Sequence, residues 1–345
     1  MNIEEIKVKL EELPEFVINK IVTILQEYDV EFNQAETIKF DKCPKCGKIH
    51  PHIIKGGKTK GGKQMYRCKD CNARFTSDYG FITFGSRLSK EVWNEAIKST
   101  LEGDSLTFMA KRCRVSRLSA FYMRHKIMMH LETVESSVII KDAAELDEKY
   151  VQKSHKGKHI DGVVPRDRGE RASKRGLSKE KVCMLTALDR KRNSFVRAYN
   201  MGKPSSLDVM NLSSHLDKET FLWTDGLASY NDLAISLGSQ KKELKTHKEY
   251  DKVNHLNTVN SFHSAIEGWY SYMRGVASKY INRYCALFSI RWLIKGISDS
   301  EALLKVRAII KATNIEYLTN SYISTNGLFD SPDLRWSVLV NKSYL

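Results

Sequence analysis

The chain has 345 residues, enough for two or three domains with a sizeable core. A formal charge of +15 and a pI near 9.3 point to a polyanionic partner, nucleic acid first among them. The sequence shows no secretory signal, and its best apolar runs, FVINKIVTIL and CALFSIRWLI, are interrupted by Lys20 and Arg291. A membrane span of about 18 residues is therefore not expected, and neither is a secreted protein. Of the seven cysteines, Cys113, Cys183 and Cys285 are scattered singly, which argues against a disulfide framework. The expected setting is cytoplasmic and nucleoid-associated.

The charge is uneven. Residues 1–40 carry 4 Lys/Arg against 9 Asp/Glu, whereas residues 41–130 carry 19 against 7. The opening is thus no DNA-binding arm, and the basic middle is the better candidate. Residues 3–28 read as helix, because Leu10, Phe16, Val17, Ile21, Ile24 and Leu25 recur near helical spacing and Pro14 starts the second segment. The segment 1–38 is accordingly expected to be helical, suited to packing or oligomerisation.

Next come four cysteines in the pattern C-x2-C-x21-C-x2-C: Cys43, Cys46, Cys68 and Cys71. Each C-x-x-C knuckle offers two thiolates from one turn, and two knuckles close a tetrahedral shell. One structural Zn2+ would then substitute for a core that so short a segment cannot build, giving a zinc ribbon over residues 39–80. His50 and His52 are not needed as ligands.

Residues 88–132 carry three helical patterns, and SLTFMAKRCRVSRLSAFYMRHKI reads as a helix-turn-helix. Ala110 is small where helices cross, Val115 fills the turn, and Ser116 caps the second helix. That helix is expected to expose Arg117, Tyr122, Arg124 and Lys126 to DNA. Arg114 is a mismatch, standing where glycine usually supplies a positive φ.

From residue 138 the texture becomes β-rich. Three strands, then alternating helix and strand, then a helix near Asn260, predict a mixed sheet with helices on both faces over residues 138–295. A tail, 296–345, follows. Asp147 lies on the first strand, in AELDEKYV. Asp225 follows the strand FLWT, 78 residues on, and Asn260 opens a helix 35 residues later. Two strand-borne carboxylates and a helix-borne oxygen suit a hard divalent ion held against phosphate. Between the first two strands runs a basic loop with Lys174, Arg175 and Lys179, placed to grip phosphate beside that site. His263 and Glu267 follow one and two turns after Asn260; they are expected to orient neighbouring groups rather than to hold an ion directly.

The C-x2-C pairs, ELDEKYV, RGLSKEKV, WTDGLASY, NHLNTVNSFHS and GVASKYINRY together resemble bacterial insertion-sequence transposases. The resemblance is to the group with an N-terminal zinc ribbon and a DDE-type, ribonuclease-H-like core, and it covers roughly residues 40–290. It implies a multidomain α+β fold of four-cysteine zinc ribbon, helix-turn-helix and α/β ribonuclease-H-like catalytic domain. Asp147, Asp225 and Asn260 match the family's three catalytic positions, and Asn stands at the third in some relatives. Such Asn-type members commonly carry Lys seven residues later, where this chain has Glu267. The implied activity is Mg2+- or Mn2+-dependent cleavage and strand transfer at the element's terminal inverted repeats. Two catalytic ions are implied, with double-stranded DNA as substrate and target, and a homodimer or larger synaptic complex as the working form. Two rivals are an inactive DNA-binding regulator descended from a transposase and a structure-selective nuclease on the same fold.

Overall fold

The computed structural model describes residues 40, 43–60, 64–76, 79, 86–136, 138–156, 180–273 and 276–294. The expected N-terminal helix, the basic loop with Lys174, Arg175 and Lys179, and the tail lie outside the described residues. The rest divides into two compact units, with the boundary between His130 and Leu131.

In the first unit, strands β1 (Ile53–Lys58), β2 (Gln64–Cys68) and β3 (Arg74–Thr76) form an antiparallel sheet in that order. Its core is small: Cys43, Tyr66, Cys68 and Phe75 are buried, with Phe40, Ile53 and Tyr79 packed against them. The Phe40 ring meets Tyr66 and Phe75 edge-on at 4.9 and 5.2 Å between centroids. So few apolar groups stabilise little on their own, which is why the four sulfurs matter to this fold.

Helices α1 (Lys90–Glu102), α2 (Leu106–Cys113) and α3 (Arg117–Glu135) follow. Gly103 ends α1 at φ 79°, and the Ser105 side chain caps α2 by accepting the Phe108 N–H. The turn from α2 to α3 is closed by Arg114, which adopts φ 51° and ψ 45° although it is not glycine. That left-handed geometry costs an ordinary residue about 1–2 kcal/mol. Bonds from the Arg114 and Val115 N–H groups to Lys111 and Ala110 carbonyls offset part of it. Ser116 accepts the Ser119 N–H at 3.0 Å, capping α3. Arg112 then ties the helices together, bonding Glu95 at 2.7 Å, Asp104 at 2.7 Å and also Glu102. Val115 is half-buried.

The second unit is a mixed five-stranded sheet in the order β6-β5-β4-β7-β8, from β4 (Ala143–Gln152), β5 (Lys181–Leu188), β6 (Ser194–Met201), β7 (Phe221–Thr224) and β8 (Lys241–Glu243). The β4–β5 and β5–β6 pairs are antiparallel, whereas β7 lies parallel to both β4 and β8. Helix α4 (Ser206–Met210) connects β6 to β7, and α5 (Ser229–Leu237) connects β7 to β8. Helices α6 (Asn257–Tyr272) and α7 (Ile281–Ile294) pack together through Phe262 and Phe288, whose rings are 5.1 Å apart. With the four-cysteine cluster, this is a zinc-ribbon-plus-ribonuclease-H-like α+β architecture. Strand β6 is at the sheet edge, where free N–H groups invite unwanted pairing. Two side chains meet that edge: Glu135 accepts the Val196 N–H at 3.0 Å, and Asn282 accepts the Ala198 N–H at 2.9 Å.

Strand β4 and helix α6 run side by side in register. Glu145 meets Val259, Asp147 meets His263, and Lys149 meets Glu267. Alternate strand residues share a face and advance about 6.8 Å per pair. Four helical residues advance about 6.0 Å. The two repeats are close enough to stay in phase over this length.

Candidate active site and metal centres

The four cysteine sulfurs lie within 4.8 Å of one another. Each knuckle is a tight turn: the Gly47 N–H bonds the Cys43 carbonyl, and the Cys68 N–H bonds that of Ala73. A tetrahedral ion with metal–sulfur bonds of about 2.3 Å separates its sulfurs by about 3.8 Å, and Cys43 and Cys71 stand 3.9 Å apart. The set therefore fits zinc. Burial pushes the Cys43 thiol up to about 12 in the absence of a cation, so a metal's charge is needed to hold it as thiolate. Asp70 joins the two knuckles by accepting from Lys48 and from the His52 N–H. His50 and His52 are outside the sulfur cluster.

The second cluster lies in the five-stranded sheet. One carboxylate oxygen each from Asp147, Glu148 and Asp225 falls within 4.8 Å of the others. Pairing explains the first and last: Leu146 is level with Thr224, so Asp147 and Asp225 are successive neighbours on parallel strands. Gly226 then turns the chain at φ 99°, a conformation that favours glycine, and a Cβ there would meet Lys245 at 3.0 Å. Asp225 accepts the Leu227 N–H at 3.2 Å. Desolvation by its surroundings and then repulsion from Asp147 raise the Asp225 pKa, though the residue keeps solvent access.

Glu148 was not anticipated. Neighbouring strand residues point to opposite faces, so spacing alone separates it from Asp147. Strand β7, however, stops at Thr224, and carboxylates from both faces of β4 can reach around its end. Burial lifts the Glu148 carboxyl to about 7; Asp225 and Asp147 add to the rise, and the buried Tyr230 hydroxyl beside it opposes it. Three acidic groups so close repel one another, and their oxygens could hold a divalent ion.

Helix α6 brings the remaining groups. His263 is buried, with Nδ1 3.3 Å from Asp147 Oδ2 and Nε2 2.9 Å from Thr186 Oγ1. Asn260 is one turn earlier, exposed, with its side chain bonded to the Tyr250 hydroxyl. Residues three apart on a helix are face neighbours, about 5–6 Å between Cβ atoms, so Asn260 and His263 look the same way. Glu267 is engaged elsewhere, 2.5 Å from the Lys149 ammonium.

The expected DNA contacts on α3 divide. Arg117 is exposed, while Tyr122 and Lys126 are half-buried. Arg124 corrects the expectation: it is only 2% exposed, with its guanidinium 3.4 Å from Met109 Sδ. The reason is the helical period. Ala120, Met123, Ile127, Met128 and Leu131 form the buried stripe, and position 124 falls inside it.

Residues 139–292 match the family model of the ISXO2-like transposase domain, a stretch that runs from the approach to β4 nearly to the end of α7. No curated protein shows a significant match to the chain. No helix among the described residues is long and apolar enough to cross a membrane.

Proposed function

We propose that this chain, which carries an ISXO2-like transposase domain over residues 139–292, is a transposase that cleaves DNA at the terminal inverted repeats of an insertion sequence and joins the freed 3′-hydroxyls to target DNA. One observation carries the reading: within that domain, Asp147, Glu148 and Asp225 converge at the end of β7. Asp147, Asp225 and Asn260 would hold two Mg2+ or Mn2+ ions. When bound, such ions stabilise the attacking and leaving oxygens of an in-line displacement at phosphorus.

The protein groups have separable tasks. Asp147 and Asp225 supply charge and oxygen ligands on rigid strands. Asn260 supplies a neutral amide oxygen, which binds a hard cation more weakly than a carboxylate does. Glu148 offers the third acid that position 260 lacks, which counts against a dead, purely regulatory descendant. His263, fixed by Thr186, orients Asp147. Outside the sheet, the zinc ribbon and the exposed start of α3 around Arg117 would recognise the repeats. Tyr122 and Lys126 lie further along α3, and Lys174, Arg175 and Lys179 would screen phosphates. Two ends cut in concert call for a homodimer or larger synaptic complex.

The test is a duplex carrying the element's terminal repeat, incubated with protein and Mg2+. Nicking and strand-transfer products are expected, both lost in Asp147→Asn and Asp225→Asn while repeat binding persists. Asn260→Ala should be severely impaired and Asn260→Asp partly active. Cleavage without joined products would indicate a nuclease, and binding without either product a regulator.

A further inference from the structure

The N-cap residue of helix α6 makes no side-chain bond, and the only nearby side chain that serves the first turn, among the described residues before the helix, is His255, whose Nδ1 accepts the Asn257 N–H at 3.3 Å. The residue at its N-cap position is Leu256, which has no side-chain acceptor. The exposed first-turn N–H groups of a helix need partners and favour negative charge. The charged partner comes from the sheet: Glu145, two residues before Asp147 on β4, accepts the Val259 N–H at 2.9 Å and the Thr258 hydroxyl at 2.8 Å. Its carboxylate is about 1% exposed. Arg190 Nε approaches it at 3.2 Å and His255 Nδ1 at 3.5 Å.

Arg190 extends the same hold to the segment that feeds α6. It donates to the Val253 carbonyl at 2.5 Å and lies 4.3 Å from the centre of the Trp223 ring. Trp223 Nε1 donates to Asn254 Oδ1 at 3.1 Å, and Asp251 accepts the Val253 and Asn254 N–H groups. A buried charge is costly and is held only when well paired. Position 256 is taken by a leucine only 2% exposed, so the core occupies the place of a local cap. What a local cap could not do is tie the helix to the strand that bears Asp147.

We propose that Glu145 is a positioning residue for the divalent-ion site: it fixes the depth and rotation of α6, and so the reach of Asn260 and His263 toward Asp147. The proposal rests on the reading of Asp147, Asp225 and Asn260 as metal ligands. Glu145 touches none of the reacting atoms. Its effect passes through the β4–α6 register, in which one face of the strand presents the cap and then, one step on, the ligand.

Groups that orient metal ligands typically matter 10–100-fold in metal affinity. The experiment is Mn2+ titration of the zinc-loaded full-length chain, followed by the paramagnetic resonance of free Mn2+, with thermal unfolding recorded in parallel. Glu145→Ala should weaken Mn2+ binding about 10-fold or more, with Glu145→Gln and Thr258→Val progressively milder. Leu212→Ala, a truncation of a buried core residue outside the β4–α6 register, serves as the stability control and should keep wild-type affinity. If Glu145→Ala does not fold, the two milder variants carry the comparison. Wild-type affinity in the Glu145 variants, or an equal loss in the control, overturns the positioning role. Asp147→Asn separates the two levels. If it abolishes the site while the Glu145 variants keep it, only the positioning role fails. If it leaves the isotherm unchanged, the ligand assignment fails and this inference with it.

Discussion

The ribbon and the five-stranded sheet each gather metal-ligating side chains, but they assemble them in opposite ways. The ribbon's four sulfurs come from two local turns within residues 43–71, and backbone N–H groups of the same turns point at the Cys43, Cys46 and Cys71 sulfurs. The sheet's carboxylates come from positions 147, 148 and 225, and only strand pairing brings them together. One set is four identical sulfurs, the kind that closes around a structural ion. The other is three carboxylates with solvent access at Asp225, the kind that suits an ion shared with a substrate. The ribbon should therefore depend on its ion for its fold, and the sheet should keep its fold without one.

The largest expected effect breaks the ribbon. Cys68→Ser removes a buried sulfur, so the zinc content should fall from about one per chain to none and residues 41–75 should become sensitive to protease. The sheet should be unaffected by chelation at neutral pH. Normal zinc content in Cys68→Ser, or loss of the sheet's circular dichroism on chelation, would remove the distinction.

The next effect lies on α3 and separates reading DNA from holding the fold. Arg117→Ala should weaken repeat binding by about 1–3 kcal/mol with relaxed specificity if it reads a base. Arg124→Ala should instead lower the unfolding temperature, because it empties a buried site beside Met109. The idea fails if Arg124→Ala melts normally yet binds DNA selectively worse.

A smaller effect concerns pH and the sheet's edge. Glu135 is fully buried, and burial lifts its carboxyl to about 7 despite relief from Arg197, the Val196 N–H and Ser289. Its folded value exceeds its unfolded one, so its contribution is fully present below about pH 4.5 and is lost as pH rises through about 7. A shift of that size is worth at most about 3 kcal/mol, or several degrees in a domain of this size. Glu135→Gln should thus raise Tm relative to wild type at pH 8 and leave it near wild type at pH 5. Equal changes at both pH values would contradict the assignment.

The smallest effect is expected from Glu267→Gln. Glu267 is exposed and paired with Lys149, and such pairs contribute at most about 1 kcal/mol. Mn2+ affinity and strand transfer should change little. Abolished catalysis in that variant, with Asn260→Ala near normal, would move the third ligand two turns along α6.

The contrast also explains what was legible in the sequence. The sulfur set could be read from spacing because its geometry is local. The order of strands and helices along the chain followed from the alternation of apolar runs, although their order within the sheet did not, and the helix after residue 256 followed from the apolar period now seen in the buried Val259, Phe262, Ile266 and Trp269. Glu148 was hidden because period two places it on the wrong face, and only the early end of β7 undoes that. Glu145 was hidden because a buried acid and a surface acid look alike until their partners are known. Arg124 was misjudged because its charge was weighed and its place in the stripe 120, 123, 127, 128, 131 was not.

The pairing of Glu145, Asp147 and Lys149 with Val259, His263 and Glu267 has a consequence for how this chain can change length. A strand step of about 6.8 Å and a helix step of about 6.0 Å drift apart by under 1 Å per pair. Three pairs are tolerable, but inserting or deleting one residue inside 257–267 would turn everything beyond it by about 100°. Residues 245–249, between the buried Leu244 and Tyr250, whose hydroxyl meets Asn260, lie outside that register. Natural variants and engineered fusions should accept added residues there, and should reject them between Asn257 and Glu267.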